Sequence, residues 1–251
     1  MSRVSIITPA FNSVDFLEET IKSVQNQTYN DWELIIVDDC STDGTFELAN
    51  SFSQKDSRII VLRNDKNSGV SFSRNKAIDC SNGEYIAFLD SDDIWLPNKL
   101  EKQISFMEDN KYAFTYTDYK MFDSLTKVID KKIIRAPDIM TSQKIYGNTS
   151  IGCLTVMVNR KIVGDFSMPL VNHMEDNITW QKIMERGYCG YRLPEVLSLY
   201  RKGNNNSLTS GKKKAMLAQW NIYRNYYNFS IFKSLFYFIQ YAFHAIIKHY
   251  F

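Results

Sequence analysis

The chain has 251 residues, 44% hydrophobic and 23% charged, a composition that supplies a full core and excludes a disordered or fibrous protein. Its net charge of +2 hides an asymmetry: Glu195 is the last acidic residue, and eight lysines and arginines follow it with no acid among them. The body before that point is acidic, so no nucleic-acid partner is expected. The basic, aromatic end suggests an anionic surface as its partner. Four cysteines (Cys40, Cys80, Cys153 and Cys189) have no paired spacing, which argues against a disulfide framework or a metal cluster. The first nine residues enter a strand with no signal-peptide core, and the reading is a cytoplasmic protein.

In chain order, residues 3–8 read as a strand that Pro9 should end. Ser13 or Asp15 can cap a helix to about residue 27, with Phe16, Leu17, Ile21 and Val24 on one face. Strands are expected at 32–37, 58–62, 85–89 and 112–117, and helices at 42–52, 70–80 and 97–107. Residues 120–150 are polar and read as loops and short pieces. A strand at 152–158, a helix at 175–186 and a short strand at 196–200 follow. Residues 203–210 form a turn-rich loop expected to be mobile, and two helices close the chain at 212–227 and 231–250. Continuous apolar strands alternating with helices predict a mostly parallel α/β sheet covered on both faces. Ligands bind such sheets at the carboxyl ends of the strands, where polar clusters recur: 8–12, 38–39, 64–67 and 90–93.

The cluster Asp90-Ser91-Asp92-Asp93 closes a buried strand. Three aspartates there are consistent with a divalent-metal site holding a phosphorylated ligand. They are also consistent with a cap for the helix led by Pro97. The turn after the first strand lacks glycine, which argues against a dinucleotide dehydrogenase or a P-loop enzyme. A diphosphate bound here would need the acids and a metal to neutralise it. Asp39 could accept a hydrogen bond from a base N–H, and Phe11 could offer a ring face to that base.

The segments Val-Ser-Ile-Ile-Thr-Pro-Ala-Phe-Asn (4–12), Val-Asp-Asp-Cys-Ser-Thr-Asp-Gly-Thr (37–45), Asn-Ser-Gly-Val-Ser-Phe-Ser-Arg-Asn (67–75), Ala-Phe-Leu-Asp-Ser-Asp-Asp (87–93) and Glu-Asp (175–176) resemble, in order, the motif set of family 2 inverting glycosyltransferases with the GT-A fold. Residues 151–158 and 195–202 resemble the subgroup that builds bacterial surface polysaccharides such as teichuronic acid and O-antigen. The resemblance implies a GT-A catalytic domain over 1–210, with a nucleotide half to about 110 and an acceptor half beyond it. Residues 211–251 would add C-terminal helices.

It also implies a site. Pro9, Ala10 and Phe11 would line the base, with Phe11 in place of the usual tyrosine, and Asp39 would meet the uracil imide. Asn67 and Arg74 would contact the nucleotide, Arg74 facing uridine or diphosphate. Asp90-Ser91-Asp92 would be the DxD motif, with Asp92 on Mn2+ or Mg2+ and Asp90 nearer the ribose, shared with the metal. Asp93 would be a helix cap or a supporting residue. Asp176 would be the catalytic base, although a Glu-Asp pair at a helix start is also what the helix dipole favours. Arg201 would order a loop over the diphosphate. The implied donor is a UDP-sugar, and the implied acceptor is a saccharide linked to undecaprenyl diphosphate. Two other classes remain open: a non-catalytic sugar-nucleotide binding module, and an Asp-based phosphotransferase, against which the late position of the acid pair argues. In the final helix Phe232, Leu235, Phe236, Ile239, Phe243, Ile246 and Ile247 recur at helical spacing, and the apolar run between Lys233 and Lys248 is too short to span a bilayer. It reads as an amphipathic helix lying on the inner membrane surface, or else packed on the protein itself.

Overall fold

The computed structural model of the chain describes residues 3–171, 173–202 and 212–250, and gives only the backbone for 212–214 and 246–250. The first strands are β1 (Val4–Ala10), β2 (Trp32–Asp38), β3 (Ile59–Arg63) and β4 (Tyr85–Phe88). The helices between them are α1 (Val14–Gln25), α2 (Thr45–Ser53) and α3 (Val70–Cys80). Then come β5 (Ile94–Trp95), α4 (Lys99–Asn110), β6 (Phe114–Asp123), β7 (Ile129–Ile134), β8 (Ile139–Met140), β9 (Met157–Asn159), α5 (Arg160–Val163), α6 (Glu175–Glu185) and β10 (Gly190–Lys202). The helices α7 (Lys212–Asn221) and α8 (Ile231–Tyr250) end the chain.

One sheet runs β3-β2-β1-β4-β9-β6-β10-β5, with β7 beside β6 and β8 beside β10. The four strands β1 to β4 are parallel, and β6 pairs parallel with β10. Between these two blocks β9 runs antiparallel to both β4 and β6. The mostly parallel α/β reading therefore holds. Its apolar strands read as continuous runs because both faces are covered. Ile6, Ile36 and Ala87 pack with Leu17 and Ile21 of α1 and Leu100 and Ile104 of α4 on one face. Ile7, Ile35, Val37 and Phe88 pack with Ala77 and Ile78 of α3 and Trp180 and Ile183 of α6 on the other. Trp180 is wedged edge-on against Phe88 and Phe114, with ring centroids 5.1 and 5.3 Å apart. It seats α6 on the sheet beside α3, and that shared face brings the two halves of the site together.

Several expectations fail for identifiable reasons. Pro9 does not end β1, which continues to Ala10 opposite Asp38. The Ile7 carbonyl accepts from Leu89 N–H on the β4 side, so Pro9 faces that side too; β4 pairs only as far as Ile7↔Phe88, and the missing N–H costs no ladder bond. Residues 120–150 are not mainly loops: β6 extends to Asp123 and turns back as β7. That hairpin is half-solvated, so its strands lack the continuous apolar signal used to find the others. The expected strand at 152–158 is a 3-10 turn, Cys153–Thr155, followed by the three residues of β9. The short strand at 196–200 belongs to a 13-residue strand. The loop expected at 203–210 lies outside the described residues.

Candidate functional site

The carboxyl ends of β1, β2, β3 and β4 open on one crevice. At its base side, Pro9 and Ala10 are buried in β1, while Phe11 just beyond is 47% exposed. Asn12 and Cys40, which follow β1 and β2, both take left-handed backbone angles. They are held by side chains across the gap: Asn12 N–H donates to Ser41 Oγ at 2.9 Å, and Thr42 N–H donates to Asn12 Oδ1 at 3.0 Å. Asp43 caps two helix starts, accepting from Val14 N–H at 3.1 Å and from Thr45 N–H at 3.0 Å.

Asp39 lies at the end of β2 and is almost wholly buried. Its Oδ1 accepts from Asn64 Nδ2 at 2.8 Å and Ser68 N–H at 2.9 Å, and its Oδ2 accepts from Gly69 N–H at 2.8 Å. Gly69 has φ +88°, which suits glycine and brings its N–H onto the carboxylate. Asp39 thus closes the 64–69 loop against the crevice, and three bonds leave about one of a carboxylate's four acceptor positions for a ligand. Asn67 is exposed at the tip of that loop.

Arg74 does not face outward as a nucleotide contact would. It is 4% exposed, and both ends of its guanidinium are taken by carboxylates. Nη2 donates to Asp90 Oδ1 at 2.6 Å and Nη1 to Glu175 Oε1 at 2.7 Å. Burial opposes its charge, and the acids at Asp90, Glu175 and Asp176 outweigh burial and hold it firmly protonated. Next to it, Asn75 grips the Met168 backbone at both ends, donating to its carbonyl at 2.8 Å and accepting from its N–H at 2.7 Å. Two adjacent residues of α3 therefore anchor the segment around Met168 and the first turn of α6.

The acid loop is pinned from its other side by a second buried arginine. Arg201 N–H donates to Asp93 Oδ1 at 2.8 Å, and its Nε donates to the Asp92 carbonyl at 2.5 Å. Its Nη2 pairs with Glu19 at 2.6 Å, and its guanidinium lies between the rings of Phe16 and Phe122. Among the described residues Arg201 is thus bound to protein on every side, while the loop it was expected to order, at 203–210, lies outside them. Asp93 is buried, and its carboxyl is pushed well above the usual range by burial and then by Asp92 and Asp90. It ties the loop to β10 and does not cap α4, whose preceding residue is Asn98. Ser91 contributes its carbonyl to Thr20 Oγ1 at 3.0 Å.

Asp176 sits in the first turn of α6. Burial and then the neighbouring Glu175 raise its carboxyl to about 6, against the partial relief given by Arg74. The Cys153 thiol belongs to the same cluster: burial raises it, and it senses Arg74, Asp90, Asp176 and Glu175. The structure thus links Asp90 to the first turn of α6, where Asp176 sits, through Arg74 and Glu175. Sequence reasoning assigned no role to Glu175, Asn75 or Cys153. A buried arginine flanked by acids from distant segments has no local sequence signature, although Glu175 beside Asp176 was visible as an acid pair.

No three His, Cys, Asp or Glu side chains converge on a cation position among the described residues. A metal at Asp90 and Asp92 would take its remaining ligands from phosphate oxygens and water, as magnesium commonly does. Two carboxylates at the mouth of the crevice, with Asp90 31% exposed at its side chain, fit that arrangement.

At the C-terminus α8 is amphipathic, but inverted. Ser234 is fully buried, the Tyr237 ring stands 5.0 Å from that of Tyr146, and Gln240 lies against Gly147. Phe232, at 87% exposed, and Phe236, Ile239 and Phe243 face away from the protein. Met216, Leu217 and Trp220 of α7 join Leu235 and Phe238 in an apolar groove of about 450 Å³. Among the described residues no helix is long and apolar enough to cross a membrane.

The sequence pattern of the family described as Glycosyl transferase family 2 matches residues 5–165. The Bacillus subtilis protein TuaG, named for teichuronic acid biosynthesis, is 42% identical over 245 residues, covering 98% of this chain and 96% of its own. Escherichia coli WfgD, named as a UDP-Glc:alpha-D-GlcNAc-diphosphoundecaprenol beta-1,3-glucosyltransferase, is 37% identical over 251 residues, covering 98% of this chain and 94% of its own. Among solved structures, S. aureus TarS 1-349 in complex with UDP-GlcNAc superposes with a TM-score of 0.70 at 18% identity, covering 98% of this chain and 73% of that one. The match spans 43% of the longer TarS chain. A mannosyltransferase from Pyrobaculum calidifontis in complex with GDP-Man and Mn2+ gives 0.64 at 17% identity, over 87% of this chain and 61% of its own. At such identities the structural likeness establishes the GT-A fold, and the sequence matches establish the family: the chain is a member of glycosyl transferase family 2.

Proposed function

We propose that the protein transfers a sugar, with inversion, from a UDP-sugar to a hydroxyl of a lipid-diphosphate-linked saccharide, in the assembly of a bacterial surface polysaccharide at the inner face of the membrane. The observation that carries this reading is the buried Arg74, which bonds Asp90 of the acid loop and Glu175, the neighbour of Asp176 on α6. Inversion needs the acceptor oxygen to attack opposite the departing diphosphate. The new bond forms between that oxygen and the anomeric carbon as the bond to the diphosphate breaks. Asp176 takes the hydroxyl proton, and UDP leaves. A carboxyl raised to about 6 is mostly ionised at neutral pH, yet it is a stronger base than an ordinary aspartate. Phe11 offers the base a ring face, Asn67 lies at the loop tip, and Asp39 keeps about one acceptor position for an imide. Mn2+ or Mg2+, when held at Asp92 and Asp90, would offset charge on the leaving diphosphate.

In this reading residues 1–110 serve the donor and 111–210 the acceptor. The names of the curated relatives support the donor and acceptor classes, since WfgD is named for both UDP-Glc and a diphosphoundecaprenol acceptor. The outward apolar face of α8, on a chain end with eight basic residues and no acid, supports residence on an anionic membrane surface. The test is an assay of the purified protein with Mn2+, a panel of UDP-sugars and a GlcNAc-diphospholipid acceptor. Release of UDP coupled to a glycosylated lipid, with opposite anomeric configuration to the donor, is expected. UDP-sugar binding without transfer to any lipid-linked saccharide would overturn the reading.

A further inference from the structure

Arg74 was expected to meet the nucleotide, yet both terminal nitrogens of its guanidinium are taken by protein carboxylates. Asp90 lies 16 residues away in sequence and Glu175 101 residues away, and each takes one terminal nitrogen. The arginine side chain is 5% exposed and that of Glu175 11%. A phosphate-binding arginine keeps its N–H fork open toward the ligand; this one is closed by two carboxylates. Such an arrangement is costly to bury unless its geometry is good, and breaking it leaves an uncompensated charge. An ion triad centred on a buried arginine, at the seam between the donor-side acids and the base-bearing helix, invites a role beyond stability.

We propose that Arg74 and Glu175 are positioning residues: together they lock the donor-side Asp90 to the first turn of α6, so that Asp176 is held at a fixed place across the crevice from the acid loop. The inference rests on the glycosyltransfer reading. Three features give it substance. Glu175 immediately precedes Asp176 on α6, so whatever fixes one fixes the other. The neighbouring Asn75 clamps the Met168 backbone, a second attachment of α3 to the segment that leads into α6. Trp180 seats the same helix against the sheet. Reaction rates fall steeply with small misplacements of a reacting group, on the order of a hundredfold for about 1 Å.

The charges around Asp176 make the proposal distinguishable from scaffolding. They are Glu175 on its own helix, Arg74 from α3, Asp90 from the loop after β4, and the Cys153 thiol from the turn before β9. Glu175 pushes the Asp176 carboxyl up and Arg74 pulls it down. Glu175→Gln should therefore move the acid limb of the kcat profile to lower pH, and Arg74→Gln should move it to higher pH. Opposite shifts from the two partners of one ion pair are not what a general loosening of the fold produces. Glu175→Gln should also lower kcat by about 10- to 100-fold, leave the Kd for UDP with Mn2+ within about twofold, and combine with Arg74→Gln less than additively.

The experiment measures UDP affinity by calorimetry, kcat against pH, and the pH dependence of unfolding, which reports the Asp176 proton without turnover. Should Arg74→Gln fail to fold, the isosteric Glu175→Gln decides the matter alone. Three results would overturn the proposal. One is wild-type kcat and an unmoved acid limb in Glu175→Gln. Another is a tenfold or greater loss of UDP affinity in that variant with kcat intact. The third is a loss of UDP affinity in Arg74→Gln while Glu175→Gln behaves as wild type, which would return Arg74 to the phosphates. If the wild-type protein transfers no sugar, the functional reading fails; if the wild type is active and Asp176→Asn is inactive while Glu175→Gln is normal, only the positioning inference does.

Discussion

The crevice and the α7–α8 hairpin break the rules of burial in opposite directions. The crevice hides what water would welcome: Asp39, Arg74, Asp93, Glu175 and Arg201 are all buried. The hairpin displays what water rejects, with Phe232, Phe236, Ile239 and Phe243 outward and Ser234 inward. Most of the chain between them obeys the ordinary pattern of apolar strands and polar surface. Exceptions of this kind collect where a protein does something other than fold. The comparison separates the two parts of the proposed reading: there the crevice would hold charges at fixed separations for chemistry, and the hairpin would present its apolar face to an anionic membrane surface.

The sharpest test of the first task is Asp176→Asn. Loss of a proton acceptor should reduce transfer by about 10²- to 10⁴-fold with UDP affinity retained, measured by product formation and calorimetry. The same variant should be more stable near pH 8. Because the folded-state carboxyl is raised to about 6, the native protein binds that proton more readily than the unfolded chain does, and stability falls as pH climbs from about 4 to 6. Denaturant melts at pH 5 and pH 8 should show that slope in the wild type and not in the variant. Likewise, kcat should fall below about pH 6, and a profile flat to pH 5 would remove Asp176 from the base role.

Asp92→Ala probes the donor side of the crevice. Calorimetry should show the Mn2+-dependent part of UDP affinity lost, on the order of tenfold or more. Metal-dependent binding that persists unchanged would unseat the assignment.

The hairpin's task is tested by charging its outward face. Phe232→Glu, Phe236→Glu and Ile239→Glu together should cut partition onto vesicles rich in anionic lipid by about tenfold or more, since each site loses a large apolar side chain from the contact. Melting should barely change, because these side chains touch little of the protein. Undiminished sedimentation with vesicles would mean that the apolar face serves some other surface.

The smallest effect separates functional from incidental buried charge. Lys99 is fully buried with Gln103 Oε1 at 2.6 Å and the Trp95 ring at 4.2 Å, and burial alone lowers its ammonium to about 7. The native state sheds this proton more readily than the unfolded chain, so stability rises with pH between about 7 and 10. Lys99→Met should flatten that slope and raise Tm at pH 6 by several degrees, about 2–4 °C for each kcal/mol recovered. A lower Tm would show that Lys99 contributes a contact its burial conceals.

How much of this was legible beforehand follows from the range of the interactions. Residues 70–80 and 175–186 were readable as helices because their patterns are local, and α3 and α6 lie there almost to the residue. The four parallel strands were readable because two-sided burial writes itself as an apolar run. The β6–β7 hairpin was not, since its pattern depends on which face meets solvent. The partners of Arg74 and Arg201 were not legible either: the contacts run from Arg74 to Glu175 and from Arg201 to Glu19.

By itself, then, the sequence determined the family and the order of the strands and helices over residues 1–110, and it marked out the acid loop and the acid pair on which the proposed mechanism rests. Tertiary structure alone decided that Arg74 pairs with Asp90 and Glu175, that Arg201 holds the acid loop through Asp93 and the Asp92 carbonyl, and that α8 turns Ser234 and Gln240 in and Phe232, Phe236, Ile239 and Phe243 out. The division has one physical cause. Residue types and spacing fix what a group can do within a turn or a strand, whereas a charged side chain's partner is whichever opposite charge the packed sheet and helices bring within about 3 Å of it.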